Sequence, residues 1–119
     1  MNRVVYFEFH TPDVAAAMRF YEQVFGWTFK RFPGPEEYYS ITTGQGSDGI
    51  NGGLMKSRDN QPRTVNTVQV ENLDRMLEQV KRAGGNVVVP RMEIPNVGSV
   101  AYCTDPGGVI FGVRQPMSA

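Results

Sequence analysis

The chain has 119 residues, 40% apolar and 20% charged, enough for a single domain with one core and too apolar for a disordered chain. Twelve basic and twelve acidic residues cancel, which argues against a nucleic-acid partner and against a strongly acidic groove for cationic ligands. One cysteine excludes an intramolecular disulfide, and no segment reads as a signal peptide or a membrane span, so the expected location is cytoplasmic with no membrane contact.

The first predicted element is a strand over Val4 to His10, with Val5, Phe7 and Phe9 on one face and Val4, Tyr6, Glu8 and His10 on the other. Thr11 or Asp13 can cap a helix that carries Val14, Ala17, Met18, Tyr21, Val24 and Phe25 at helical spacing and ends at Gly26. That stripe is expected to pack on the Phe7/Phe9 face. Strands follow over Trp27 to Phe32, Glu37 to Thr43 and Ile50 to Lys56, separated by a Pro33-Gly-Pro35 turn and a glycine-rich loop over Gly44 to Gly49. Ser57 to Arg63 is a polar linker. A strand over Thr64 to Val70 then leads into a second amphipathic helix carrying Leu73, Met76, Leu77, Val80 and Ala83, closed by Gly84-Gly85. Asn86 to Val89 reads as a short strand, Pro90 to Gly98 as a loop, Ser99 to Thr104 as a strand, Asp105-Pro-Gly-Gly108 as a turn, and Val109 to Gln115 as the last strand. Pro116 to Ala119 reads as a loose tail.

Both halves therefore read β-α-β-β-β, and a shift of 59 positions aligns them. Gly26 falls on Gly85, and Asp48-Gly-Ile-Asn-Gly-Gly-Leu54 falls on Gly107-Gly-Val-Ile-Phe-Gly-Val113. A long period repeated only twice points to a two-module domain rather than a solenoid. The expected class is α+β, one domain over residues 1–119, with module one about 3–56, a linker over 57–63 and module two about 64–115.

The doubled order, the Phe20-Tyr21 and Phe25-Gly26-Trp27 helix end, the Gly84-Gly85 helix end and the Asp105-Pro-Gly-Gly108 turn resemble the vicinal oxygen chelate superfamily. That group contains glyoxalases, bleomycin-resistance proteins and extradiol dioxygenases. The Gly49-Ile-Asn-Gly-Gly-Leu-Met55 segment resembles its small single-domain glyoxalase-like branch. The resemblance covers about Val4 to Gln115. It implies a pseudo-two-fold pair of modules with curved mixed sheets enclosing a pocket, and pairing as a homodimer. It also implies four metal-ligand positions, which fall here on Tyr6, Gly53, Val65 and Gly112. Three of these offer no side-chain ligand, and a lone phenol is a poor start for a divalent site, so no metal and no cofactor are expected.

Glu8 is out of place in an apolar strand, because burying a carboxylate is costly unless it is paired. It is read either as a polar group on the pocket wall, acting as a general base, or as a structural carboxylate bonded to Arg or Tyr across the sheet. His10, the only histidine, sits at the strand-to-helix junction and is read as a ligand contact or as a turn residue. Tyr39 and Tyr102, on comparable third strands, are candidates for the pocket lining. Asn51 lies among glycines that mark close backbone approach. Cys103 reads as a small buried hydrophobe. The expected function is metal-independent binding or sequestration of a small molecule, with Tyr6, Glu8, His10, Tyr39, Asn51 and Tyr102 as contacts. The alternative is a lyase or isomerase of the glyoxalase type acting on a small carbonyl compound, with Glu8 as base. Drug sequestration of the bleomycin kind and action through a protein partner complete the readings. The first is disfavoured by the neutral charge, and the second calls for an exposed apolar patch.

Overall fold

The structure is a computed structural model and describes residues 1–118. The protein is α+β, with element order β1 (Arg3–Thr11), α1 (Val14–Phe25), β2 (Thr28–Arg31), β3 (Tyr38–Thr42), β4 (Gly52–Lys56), β5 (Arg63–Gln69), α2 (Leu73–Arg82), β6 (Asn86–Ile94), β7 (Gly98–Thr104) and β8 (Ile110–Pro116). Pairing is mixed. β1 runs parallel to β4 and β5 parallel to β8, while β2/β3, β3/β4, β6/β7 and β7/β8 are antiparallel. The parallel registers repeat at the sequence period: Phe7 pairs with Gly52 and Glu8 with Gly53, and 59 residues on Asn66 pairs with Phe111 and Thr67 with Gly112.

Two compact units divide the chain. One spans Tyr6–Val65; the other joins Met1–Val5 to the residues from Asn66 onward. The N-terminal residues belong with the second half because the Asn2 amide donates to the Gln69 carbonyl at 2.6 Å.

In the first unit the strand order is β2-β3-β4-β1. Asp13 caps α1 by accepting from the Ala16 amide, and Gly26 closes it in the left-handed region at φ 73°, where glycine carries no steric penalty. The expected packing of α1 on the odd-numbered face of β1 is observed. Val14, Ile41 and Leu54 form a buried core with Phe7, Phe9, Ala17, Met18, Trp27, Phe29 and Tyr39 against it. Phe9 and Trp27 both stack on Tyr21, with ring centroids 5.1 and 5.2 Å away. Apolar odd positions on β1 thus leave the even ones, Tyr6, Glu8 and His10, on the opposite face.

In the second unit the order is β5-β8-β7-β6. Asn72 caps α2, whose Leu73 and Leu77 pack with Val70, Ala101, Cys103 and Val113. Burial pushes the Cys103 thiol above its ordinary pKa, as suits a small core hydrophobe.

One expectation is corrected. Residues 90–98 are not a loop: β6 runs from Asn86 to Ile94, paired with β7, and only a tight turn around Asn96 remains. Pro90 sits where the register shifts between Val89 and Met92, on a strand at the end of the order, so its missing N–H interrupts no regular ladder. Proline at positions 90 and 95 disguised a bulged edge strand as a loop.

Candidate functional site

Side chains from β1 and β3, the two strands that flank β4, converge on one face of the first unit. Glu8 and His10 are buried, with 5% and 9% exposure, and are joined directly, His10 Nε2 lying 2.7 Å from Glu8 Oε1. The other carboxylate oxygen, Oε2, accepts from the Tyr38 hydroxyl at 2.6 Å. Tyr38 in turn lies 2.7 Å from the Tyr6 hydroxyl. Both tyrosines are half-buried. The result is a continuous chain, Tyr6–Tyr38–Glu8–His10, with its carboxylate end buried and its phenol end nearer solvent.

Gly53 makes this chain possible. It sits on β4 between β3 and β1, opposite Ser40 on one side and Glu8 on the other. Strands lie about 4.8 Å apart, so a β3 side chain must cross roughly 10 Å to reach β1. Tyr38 is long enough only if the strand beneath it carries no side chain. A Cβ built on Gly53 would land on the Tyr38 hydroxyl and 2.5 Å from the Tyr6 hydroxyl. The glycines around Asn51 therefore admit side chains of the same unit.

Electrostatics reinforce the arrangement. Burial first, then the neighbouring Glu8 carboxylate and Tyr6, push the Tyr38 phenol far above its ordinary value near 10. Tyr38 therefore keeps its proton at any physiological pH and donates it to Glu8 Oε2.

The remaining sequence candidates are placed elsewhere. Tyr39 faces the Leu54 core on the other side of β3, and its hydroxyl donates to Glu37 at 3.1 Å. Tyr38 takes the position expected of Tyr39, because alternation put the two on opposite faces and the sequence offered both. Asn51 is exposed and braces the glycine-rich loop, its Oδ1 accepting from the Thr43 amide at 2.9 Å. Tyr102 is half-buried on β7, paired with Gly112 and on the face opposite Ala101 and Cys103. In the second unit Thr67 holds the place that Glu8 holds in the first, its Oγ1 lying 2.9 Å from where a Gly112 side chain would begin. The carboxylate is thus confined to one half.

The cluster does not suit a divalent cation. Gly53 brings no donor, and the space a Gly53 side chain would need is filled by two phenol oxygens that are bonded to each other. Among the described residues no group of three His, Cys, Asp or Glu side chains converges.

Residues 3–113 match the family model of the Glyoxalase/Bleomycin resistance protein/Dioxygenase superfamily, and the chain belongs to that family. The chain is 30% identical over 113 residues to CFP32 of Mycobacterium bovis, provisionally named a glyoxylase, and 28% identical over 127 residues to the anthracycline biosynthesis protein DnrV of Streptomyces peucetius. These alignments cover 91% of this chain but only 43% and 45% of those proteins, so the chain spans less than half the length of these relatives. Among solved structures, methylmalonyl-CoA epimerase from Mycobacterium tuberculosis shares the fold with a TM-score of 0.74 at 16% identity, over 97% of this chain and 88% of that one. The Mn(II)-bound glyoxalase from Novosphingobium aromaticivorans matches with a TM-score of 0.69 at 20% identity, over 96% of this chain and 38% of that one. No helix among the described residues is long and apolar enough to cross a membrane.

Proposed function

We propose that the chain binds a small molecule without a metal, using the Tyr6–Tyr38–Glu8–His10 chain as its polar anchor. The observation that carries this reading is Glu8: a buried carboxylate with both oxygens held, linked through the Tyr38 hydroxyl to the half-buried Tyr6 phenol. The test is a fragment screen by two-dimensional NMR. Binders are expected to shift the amides of Tyr6, Glu8 and Tyr38 and to lose affinity in Tyr6→Phe; fragments that bind only elsewhere would sink the reading.

A second reading is an isomerase or lyase in which Glu8 is the base. It is favoured by the same linkage, because a carboxylate reached through hydroxyls can accept a proton without facing the ligand. The shared fold of methylmalonyl-CoA epimerase and of a Mn(II)-bound glyoxalase makes such chemistry a natural candidate. Turnover of an α-ketoaldehyde–thiol adduct, abolished in Glu8→Gln with binding retained, supports this reading; binding without turnover leaves the first.

The chain is also proposed to pair with a second copy of itself through the outer face of α1. Phe20, Val24 and Phe25 are 55%, 53% and 59% exposed there, whereas α2 presents Asp74, Arg75, Glu78, Gln79, Lys81 and Arg82 outward. Two helices of equivalent place in the chain differ in this way when one is solvated and the other covered. A second copy fits because the relatives are more than twice as long as the matched segment, and because zero net charge opposes no self-association. Light scattering of wild type and Phe25→Glu checks it: a dimer that the substitution dissociates is expected, and a wild-type monomer at high concentration refutes it.

A further inference from the structure

The second unit has a cavity of its own. Strand register places Glu93, Ser99 and Gln115 side by side across β6, β7 and β8. Two residues further along, on the same face, Ala101 and Val113 are buried against Leu73 and Leu77 of α2. Helix cover ends there, because α2 begins at Leu73, whose amide donates to Gln115 Oε1 at 2.8 Å. Past that point the sheet carries a polar row in place of an apolar one. An open cavity of about 450 Å³ lies over it, walled on its apolar side by Ile94, Pro95, Pro116 and Met117. That volume falls in the range of small-molecule sites, about 300–1,000 Å³.

The polar groups of this cavity decide what it takes. Arg91 bridges β6 to α2: Nη1 lies 3.1 Å from Asp74 Oδ2, Nε donates to Glu93 Oε2 at 3.1 Å, and Nη2 donates to the buried Ser99 hydroxyl at 2.8 Å. Its charge is met by two carboxylates, and hydrogen bonds from Ser99 and then Arg91 hold the Glu93 carboxyl below its ordinary value. An anionic ligand would face Asp74 and Glu93, and a cationic one the guanidinium. Gln115 also lines the cavity and differs from these groups. Its Oε1 accepts from a backbone N–H, which fixes the amide the right way round, so what it can add toward a ligand is Nε2, a donor of two protons.

We infer that the cavity is a second small-molecule site, selecting an uncharged molecule with an apolar body and a carbonyl oxygen that accepts from Gln115. It lies wholly in the second unit and does not rest on the reading of the Tyr6–Tyr38–Glu8–His10 chain, which lies in the first.

Four probes built on one ring separate the cases: acetophenone, neutral with a carbonyl; ethylbenzene, which lacks the oxygen; benzoate, an anion; and benzylammonium, a cation. Dissociation constants are read by NMR titration from the amide signals of Ile94, Ser99, Gln115 and Met117, on wild type and Gln115→Glu. The substitution keeps side-chain length and an oxygen for the Leu73 amide, but exchanges the NH2 donor for a second acceptor. Wild type is expected to bind acetophenone several-fold more tightly than each of the other three. Gln115→Glu is expected to lose that preference and to gain affinity for benzylammonium. Acetophenone bound to wild type no more tightly than any one of the others overturns the ligand class. An affinity for acetophenone unchanged in Gln115→Glu overturns the part given to Gln115. Shifts confined to Tyr6, Glu8 and Tyr38 overturn the second-unit site and leave the first-unit reading standing, and no shift with any probe overturns it as well. The wild-type comparison does not depend on the variant folding.

Discussion

Substituting Gly53 by alanine tests the geometry of the cluster with one methyl group. Alanine is ordinarily no worse than glycine in a strand interior, so local preference predicts a neutral or slightly stabilising change. The structure predicts the reverse. The new Cβ would coincide with the Tyr38 hydroxyl, which cannot simply swing aside because Glu8 holds it at 2.6 Å. Overpacking of this kind costs about 1–3 kcal/mol. Expelling Tyr38 also removes a donor from a buried carboxylate, about 1.5–3 kcal/mol. The sum is roughly 2.5–6 kcal/mol if both occur in full. At about 2.1 cal/mol/K per residue, a 119-residue chain loses roughly 4 °C of Tm per kcal/mol, so a fall of about 10–24 °C is expected. The assay is thermal unfolding by circular dichroism of wild type, Gly53→Ala, Tyr38→Ala and the double variant. In the Tyr38→Ala background only the Tyr6 hydroxyl, 2.5 Å from the new Cβ, has to give way, so the glycine substitution is expected to cost less than in wild type, with a coupling of about 1.5 kcal/mol or more. Equal costs in the two backgrounds, or a Gly53→Ala protein as stable as wild type, would mean that Tyr38 does not fill the space over Gly53.

Tyr38 predicts a dependence on alkaline pH. Its folded pKa is raised above the ordinary value, so the folded state keeps a proton that the unfolded state releases. The stability it contributes is fully present below about pH 10, the unfolded value, and declines as pH climbs beyond it. Urea midpoints from pH 8 to 11.5 are expected to fall more steeply for wild type than for Tyr38→Phe; parallel curves would count against the burial of that phenol. Cys103, buried with its thiol pushed up, is expected to react with a thiol reagent only at the rate of unfolding, and fast labelling of the native protein would contradict its place in the core. Asp59 is an exposed carboxylate held well below its ordinary value by hydrogen bonds from Arg63 and then Ser57. NMR titration is expected to find it among the last carboxylates to protonate as pH falls, while Asp59→Asn leaves the unfolding midpoint nearly unchanged because the pair is solvated.

The fold was legible where periodicity was clean. The alternation of Tyr6 to His10 and the stripe from Val14 to Phe25 each determine which face is core, and the aromatic cluster around Trp27 and Tyr21 follows from them. The doubled element order followed from the glycine positions. β6 was obscured because two prolines signal a break locally, whereas an edge strand tolerates them. Of the site, Tyr6, Glu8 and His10 were legible together because they share one face of one strand. Tyr38 was hidden for a different reason: its role depends on a register between β3, β4 and β1 that no local pattern encodes. The available signal was Gly53, a side chain missing from the middle of an otherwise well-packed strand. It left open what filled the space, and the filler is thirty residues from Glu8 in sequence.

The central claim is that hydroxyls and a carboxylate occupy the place where a metal-dependent member of this family would need ligands. It is tested most directly by calorimetric titration of the purified, chelator-treated protein with manganese, nickel and zinc, with the wild type and Glu8→Gln in parallel. No stoichiometric binding at micromolar concentration and no rise in Tm are expected. One ion per chain, bound tightly by the wild type and lost in Glu8→Gln, would contradict it and would mean that Tyr38 leaves Gly53 to admit the metal.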